Sequence, residues 1–301
     1  MRATRMLIPF ILVVLVPVAV WCGEPARRPS GGPQTRGQSS GAVAVGAPGT
    51  AAITVIDFTH EKDVPAGDAF RQWTREHGWE AMLGDPVYFF IRDGGLNMVA
   101  KSGPVFRKRA WYAIFDRDKL RHGIENQVLL SITPADFSLD VDRYPTIAFQ
   151  MEPVTLPGKG ADMRDPKKND TAFCLMVSFD SQWHEYKGAR FQESVGYVWA
   201  DQKWDQPVGT DPDYAAFFRY IPIGYGEKGL NESHEVRRNV GQDWRLAYPA
   251  YGDKPLPKVI RIGLMIDSNS VDSVSESRLT WVRFEQEEQG QSVPLPTDPR
   301  R

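Results

Sequence analysis

Only 2 of the 301 residues are cysteine and only 5 are histidine, and that scarcity removes several kinds of chemistry at once. Cys22 lies in an N-terminal segment that reads as a leader, so once it is removed or acylated only Cys174 remains and no internal disulfide can form. Cys174 sits inside FCLMVSF, where a lone thiol behaves as a small apolar group. The histidines, His60, His77, His122, His184 and His234, are far apart and never pair at i, i+2 or i+4, which leaves no sequence-local zinc site. Basic charge is not in excess either: 36 Lys and Arg against 38 Asp and Glu give a formal charge of -2, and the basic residues are scattered. No electrostatic footprint for nucleic acid follows. Walker loops, H-E-x-x-H helices and repeats of solenoid or propeller period are missing as well.

What is present begins with a leader. Arg2 and Arg5 precede an apolar run from Met6 to Trp21, and small and polar residues follow. This is the three-part layout of a secretory signal peptide over 1–22, with cleavage near Ala19 to Cys22. The run is short of the ~20 residues of a comfortable membrane span, so export to the periplasm or beyond is expected rather than anchoring. Membrane contact then comes only through this segment, if it is retained or if Cys22 is acylated; Trp21 stands where lipoproteins usually carry a small residue. Residues 23–52 are rich in Gly, Pro, Ser and Ala and poor in large apolar groups, which marks a flexible tether, and 287–301 has the character of a disordered tail.

Between them, over 53–286, short β-forming runs recur between turn residues: ITVIDF, PVYFFI, LNMVAK, WYAIF, QVLLSI, TIAFQM, TAFCLMVSF, SVGYVWA, FFRYIPI, VIRIGLMI and RLTWVRF. Alternation is strictest at Ile147, Phe149 and Met151, at Phe173, Leu175, Val177 and Phe179, and at Ile260, Ile262, Leu264 and Ile266, which predicts central strands there. Helix is predicted only as a turn or two in 69–82, interrupted at Gly78, and around Asp243 to Ala247. The expected fold is all-β: a jelly-roll-like antiparallel β-sandwich with one or two short helices.

Candidate binding residues cluster in VGYVWADQKWDQPVGT, 195–210. Alternation puts Val195, Tyr197 and Trp199 on one face, as core or as a concave surface, whereas Trp204 falls beyond the strand and is expected as an exposed platform beside Asp201. Flat aromatic faces stack on sugar rings, and acids and amides hydrogen-bond their hydroxyls. The long charged loop 156–170 adds Asp170. In MIDSNSVDSVSES, 265–277, Asp267 and Asn269 occupy the first and third positions of a calcium loop, but Val271, Asp272 and Arg278 break the pattern of an EF-hand. An Asx-turn is the competing reading, and no cofactor is required beyond a possible calcium ion.

The segments YPTIAFQ (144–150), GADMRDPKKND (160–170), AFCLMVSFD (172–180), VGYVW (195–199), VRRNVGQDWR (236–245) and GLMIDSNS (263–270), in that order, resemble the bacterial exported family known as domain of unknown function 3047. Carbohydrate-binding jelly rolls are similar more loosely. The resemblance implies a sandwich without an established activity. The expected function is a non-catalytic glycan-binding module of the cell envelope, with Tyr197, Trp199, Trp204, Asp201, Asp170, Asp267 and Asn269 as its contacts. The alternatives are a structural or protein-interaction module, and a polysaccharide hydrolase or lyase using Asp170 and Asp267.

Overall fold

The computed structural model describes residues 52–83, 86, 88–102, 127–158, 160–186 and 189–286. The leader with Cys22, most of the tether, the predicted strand WYAIF and the tail lie outside them. The strands are β1 (Ala52–Asp57), β2 (Glu80–Leu83), β3 (Phe90–Arg92), β4 (Gly95–Lys101), β5 (Gln127–Ser131), β6 (Thr146–Thr155), β7 (Thr171–Tyr186), β8 (Ala189–Ala200), β9 (Phe218–Tyr225), β10 (His234–Asn239), β11 (Val259–Asp267) and β12 (Val274–Glu285). Among the described residues two short α-helices accompany them, α1 (Asp68–Glu76) and α2 (Val240–Ala247).

One sheet runs β10-β6-β12-β4-β3 with β1 also on β12, and the other runs β2-β5-β11-β7-β8-β9. They pack face to face, as the alternation requires. Ile147, Phe149 and Met151 of β6 and Leu279, Val282 and Phe284 of β12 meet Phe173, Leu175 and Val177 of β7 and Ile262, Leu264 and Ile266 of β11 in one core. Phe149 stacks on Phe173 at 5.9 Å and tilts against Tyr197 at 6.1 Å.

Among the described residues the strand pairs are antiparallel except at one place: β8 and β9 run parallel. A parallel pair needs a crossover of a dozen or more residues, and here 201–217 supplies it without a helix. This segment and the β6–β7 loop cover the outer face of the second sheet. There Met163, Trp204 and Tyr220 join Cys174, Met176, Val198 and Met265 in a separate apolar cluster. Both faces of the first half of β7 are therefore buried. Burial pushes the Cys174 thiol far up, consistent with an apolar role.

Gly78 terminates α1 rather than interrupting a longer helix. It sits at φ 72°, where Trp79 N–H donates to Thr74 O (2.8 Å) and Gly78 N–H to Arg75 O (3.3 Å), a Schellman pattern. Trp79 then meets Trp73 edge-on at 4.9 Å, so residues 80–83 leave as a strand. At α2, the Asn239 side chain caps Gln242 N–H at 2.9 Å. The preceding 234–239 is an edge strand on β6.

Candidate functional site

The sequence-predicted residues separate into four places. Tyr197 and Trp199 lie on the inner face of β8. The Tyr197 hydroxyl donates to Asp243 Oδ2 at 3.0 Å, and Arg238 clamps the same carboxylate from Nε (2.9 Å) and Nη2 (2.5 Å). Burial, followed by the Asp243 charge, drives the Tyr197 phenol far above its ordinary range, so it stays a neutral donor. Trp199 is wedged in the core end: its indole N–H donates to Gly226 O at 3.1 Å and its ring lies 4.7 Å from His234. A Cβ on Gly224 would come within 2.3 Å of that ring, which is why glycine stands there.

Trp204 corrects the expectation of an exposed platform. It is 6 % exposed, because the parallel crossover folds it back onto the outer face of the second sheet. Arg164 lies over its ring at 5.0 Å, and Asp162 and Asp205 hold that guanidinium in place.

Asp170, Asp267 and Asn269 meet where β7 begins and β11 ends. The Asx-turn is what forms: Asn269 N–H donates to Asp267 Oδ1 at 3.1 Å, while Ser270 and Val271 N–H donate to Asp170 Oδ1 and Oδ2 at 2.9 and 2.8 Å. Asn269 donates through Nδ2 to Gln127 Oε1 at 3.4 Å, and its Oδ1 lies 2.9 Å from the Ser270 hydroxyl. Asp170 and Asp267 are 3 % and 1 % exposed, so neither lines a cleft, and the arrangement of two carboxylates facing each other across a substrate is not formed. Their oxygens are taken up by backbone N–H groups, and among the described residues no three histidine, cysteine or acidic side chains are placed to hold a metal ion. The turn does not fit a calcium centre, which needs several open oxygens.

Burial raises the Asp267 carboxyl well above its ordinary range, the Asp170 charge and hydrogen bond push the same way, and the Asn269 and Ser268 N–H groups oppose. A proton held more tightly by the folded than the unfolded state stabilises below the ordinary carboxylate pKa of ~3.9, and that contribution is lost as pH rises through the raised value. The D267N variant lacks this loss. Its melting temperature is expected to match the wild type in acid and to exceed it by a few degrees near neutrality, about 1 kcal/mol; a pH-independent difference between the two proteins would contradict the assignment.

Asp201 is the expected residue that the fold leaves at an opening. The crossover begins at Asp201, directly after β8, and the β6–β7 loop bends towards it through Gly158, at φ 66°. Backbone N–H groups of Gly158 and Ala161 donate to the Asp201 carboxylate. Its Oδ1 is shut away from bulk water and has no hydrogen-bond partner. Burial raises this carboxyl, and the Asp170 and Glu227 charges add to the rise. Asp201 and Glu227 line a mouth of about 280 Å³ at the end of the sandwich, with Val154, Thr155, Leu156, Gly158 and Leu230. That volume lies near the lower end of ligand pockets, ~300 Å³.

Sequence reasoning missed Glu227 and its neighbour Tyr225. Tyr225 is 48 % exposed and has Lys203 at 6.0 Å from its ring, so it, not Trp204, is the open aromatic here. The signal was in the sequence: an aromatic between Gly224 and Gly226 at a strand end has little to pack under. The run from Gly224 to Gly229 also has the spacing of a nucleotide-binding glycine loop. It leads from β9 towards the strand β10, not into a helix, so no helix N-terminus is there to receive a phosphate.

Fold and site together define a two-sheet β-sandwich with a loop-covered outer face and a small acidic mouth at one end. The chain belongs to the family described as protein of unknown function (DUF3047), whose model matches residues 123–282. No curated protein matches it. Among solved structures it is similar to the glycoside hydrolase domain of Endo-D from Streptococcus pneumoniae R6, at 7% identity and a TM-score of 0.25, over 64% of this chain and 18% of that one. It is also similar to a mutant of the alginate lyase Aly36B in complex with alginate tetrasaccharide, at 8% identity and a TM-score of 0.33, over 78% of this chain and 97% of that one.

Proposed function

We propose that this is an exported, non-catalytic glycan-binding module whose contact site is the mouth around Asp201 and Glu227. The observation that carries the reading is the lining of the mouth: two acidic side chains, Asp201 and Glu227, beside the apolar side chains of Val154, Leu156 and Leu230. Carboxylates accept hydrogen bonds from hydroxyl donors, and aliphatic side chains pack against apolar ring faces. Sugars present that chemistry, with hydroxyl donors around the ring and apolar C–H faces against aliphatic side chains. Export is supported by the leader layout of residues 1–22.

The test is a thermal-shift screen of the full chain against oligosaccharides, with product analysis after long incubation. A selective rise in melting temperature with the sugar recovered intact supports a binding module. Shortened products would convert the site into an active site, and an unchanged melting temperature across a broad panel would remove the glycan reading.

A further inference from the structure

We propose that the mouth selects a sugar unit carrying a protonated amine, of glucosamine type, over uncharged and uronate-bearing units. The inference rests on the glycan-binding reading above and adds the charge class of the ligand. Both ionisable side chains among the described lining residues, Asp201 and Glu227, are acids. A third carboxylate adjoins the lining residue Thr155, whose hydroxyl donates to Glu276 Oε2 at 3.1 Å. On the neighbouring segment, Lys203 lies over the Tyr225 ring.

The apolar floor strengthens every charge interaction in the mouth, because a low local dielectric screens less than water. A uronate entering it meets two carboxylates and loses its own hydration. An uncharged hydroxyl gives the acids that line the mouth, Asp201 and Glu227, a neutral donor. An ammonium gives them a charge-assisted bond, roughly twice as strong as a neutral one. It also offsets the repulsion that Asp170 and Glu227 impose on the half-buried Asp201 carboxylate. The volume accommodates one ring rather than a chain of them, so the amine is read on a terminal or branching unit.

Calorimetric titration of the full chain with oligomers of equal length, built from glucosamine, N-acetylglucosamine or galacturonate, decides the matter. The glucosamine oligomer is expected to bind about tenfold more tightly than the acetylated one, ~1.4 kcal/mol, with affinity falling as salt rises. Asp201→Asn and Glu227→Gln, both conservative and near the surface, should each remove most of that difference while still melting cooperatively. Equal or tighter binding of the acetylated or uronate oligomer overturns the charge selection and leaves the glycan reading standing. Binding of the glucosamine oligomer that both variants retain in full means only general attraction of a polycation, and overturns the proposal. If no oligomer of any class binds, the glycan reading falls with it.

Discussion

Asp243→Ala is expected to lower folding stability by about 2–4 kcal/mol, because one carboxylate serves two partners that cannot both be re-satisfied. Tyr197 is fully buried, and without Asp243 its hydroxyl donates to nothing. Arg238 retains some access to solvent, which keeps the loss below the upper end for a broken buried pair. The contrast variant is Tyr197→Phe, which removes the donor and its need together and should cost only about 1 kcal/mol. In a Tyr197→Phe background, Asp243→Ala should then cost distinctly less than alone, as a chemical denaturation cycle would show. Additive losses would mean that the two groups do not share the bond.

Trp204→Ala is expected to cost about 3–5 kcal/mol, the range for removing a buried tryptophan. The ring is the largest element of the outer apolar cluster, packed beneath Arg164, so its loss opens a cavity over β7 and β8 and releases the crossover. Tyr225→Ala, by contrast, removes a half-exposed ring and should change stability by less than ~1 kcal/mol. Denaturant melts of the two variants separate the core aromatic from the surface one; a small loss at Trp204 with a large one at Tyr225 would reverse the assignment.

The reversal of these two residues shows where sequence reading succeeds and where it stops. Strands such as β6, β7 and β11 were legible because an inward-facing apolar residue recurs every second position, a local signal. The edge strand β10, His234–Asn239, carries a single apolar residue and is held by backbone pairing to β6 rather than by a buried face. It therefore reads as the approach to a helix. The outer end of β7, from Asp180 to Tyr186, is polar for the same reason.

The burial of Trp204 depends on β8 and β9 pairing in parallel, a relation between segments that leaves no trace in the tryptophan's own neighbours. Asp170 and Asp267 lie together in the fold, but whether adjacent acids face a cleft or a turn is decided by the N–H groups of Ser270 and Val271. Asp201 was legible as an acid past a strand end. Its partner in the mouth, Glu227, lies 26 positions further along the chain, next to Gly226, whose carbonyl accepts from the Trp199 indole, another non-local consequence of the crossover.

Hydrogen exchange of the full chain, with and without saturating glucosamine oligomer, decides whether a ligand sits at the mouth, because it reports contact without altering any residue. Slowed exchange is expected in 154–158, around Asp201 and in 226–230, with the outer face over Trp204 and the Asp267 turn unchanged. Protection centred instead on 160–170 and 204–210, or on 267–271, would place binding on the surfaces that serve packing and turn formation, and would overturn the mouth as the binding site.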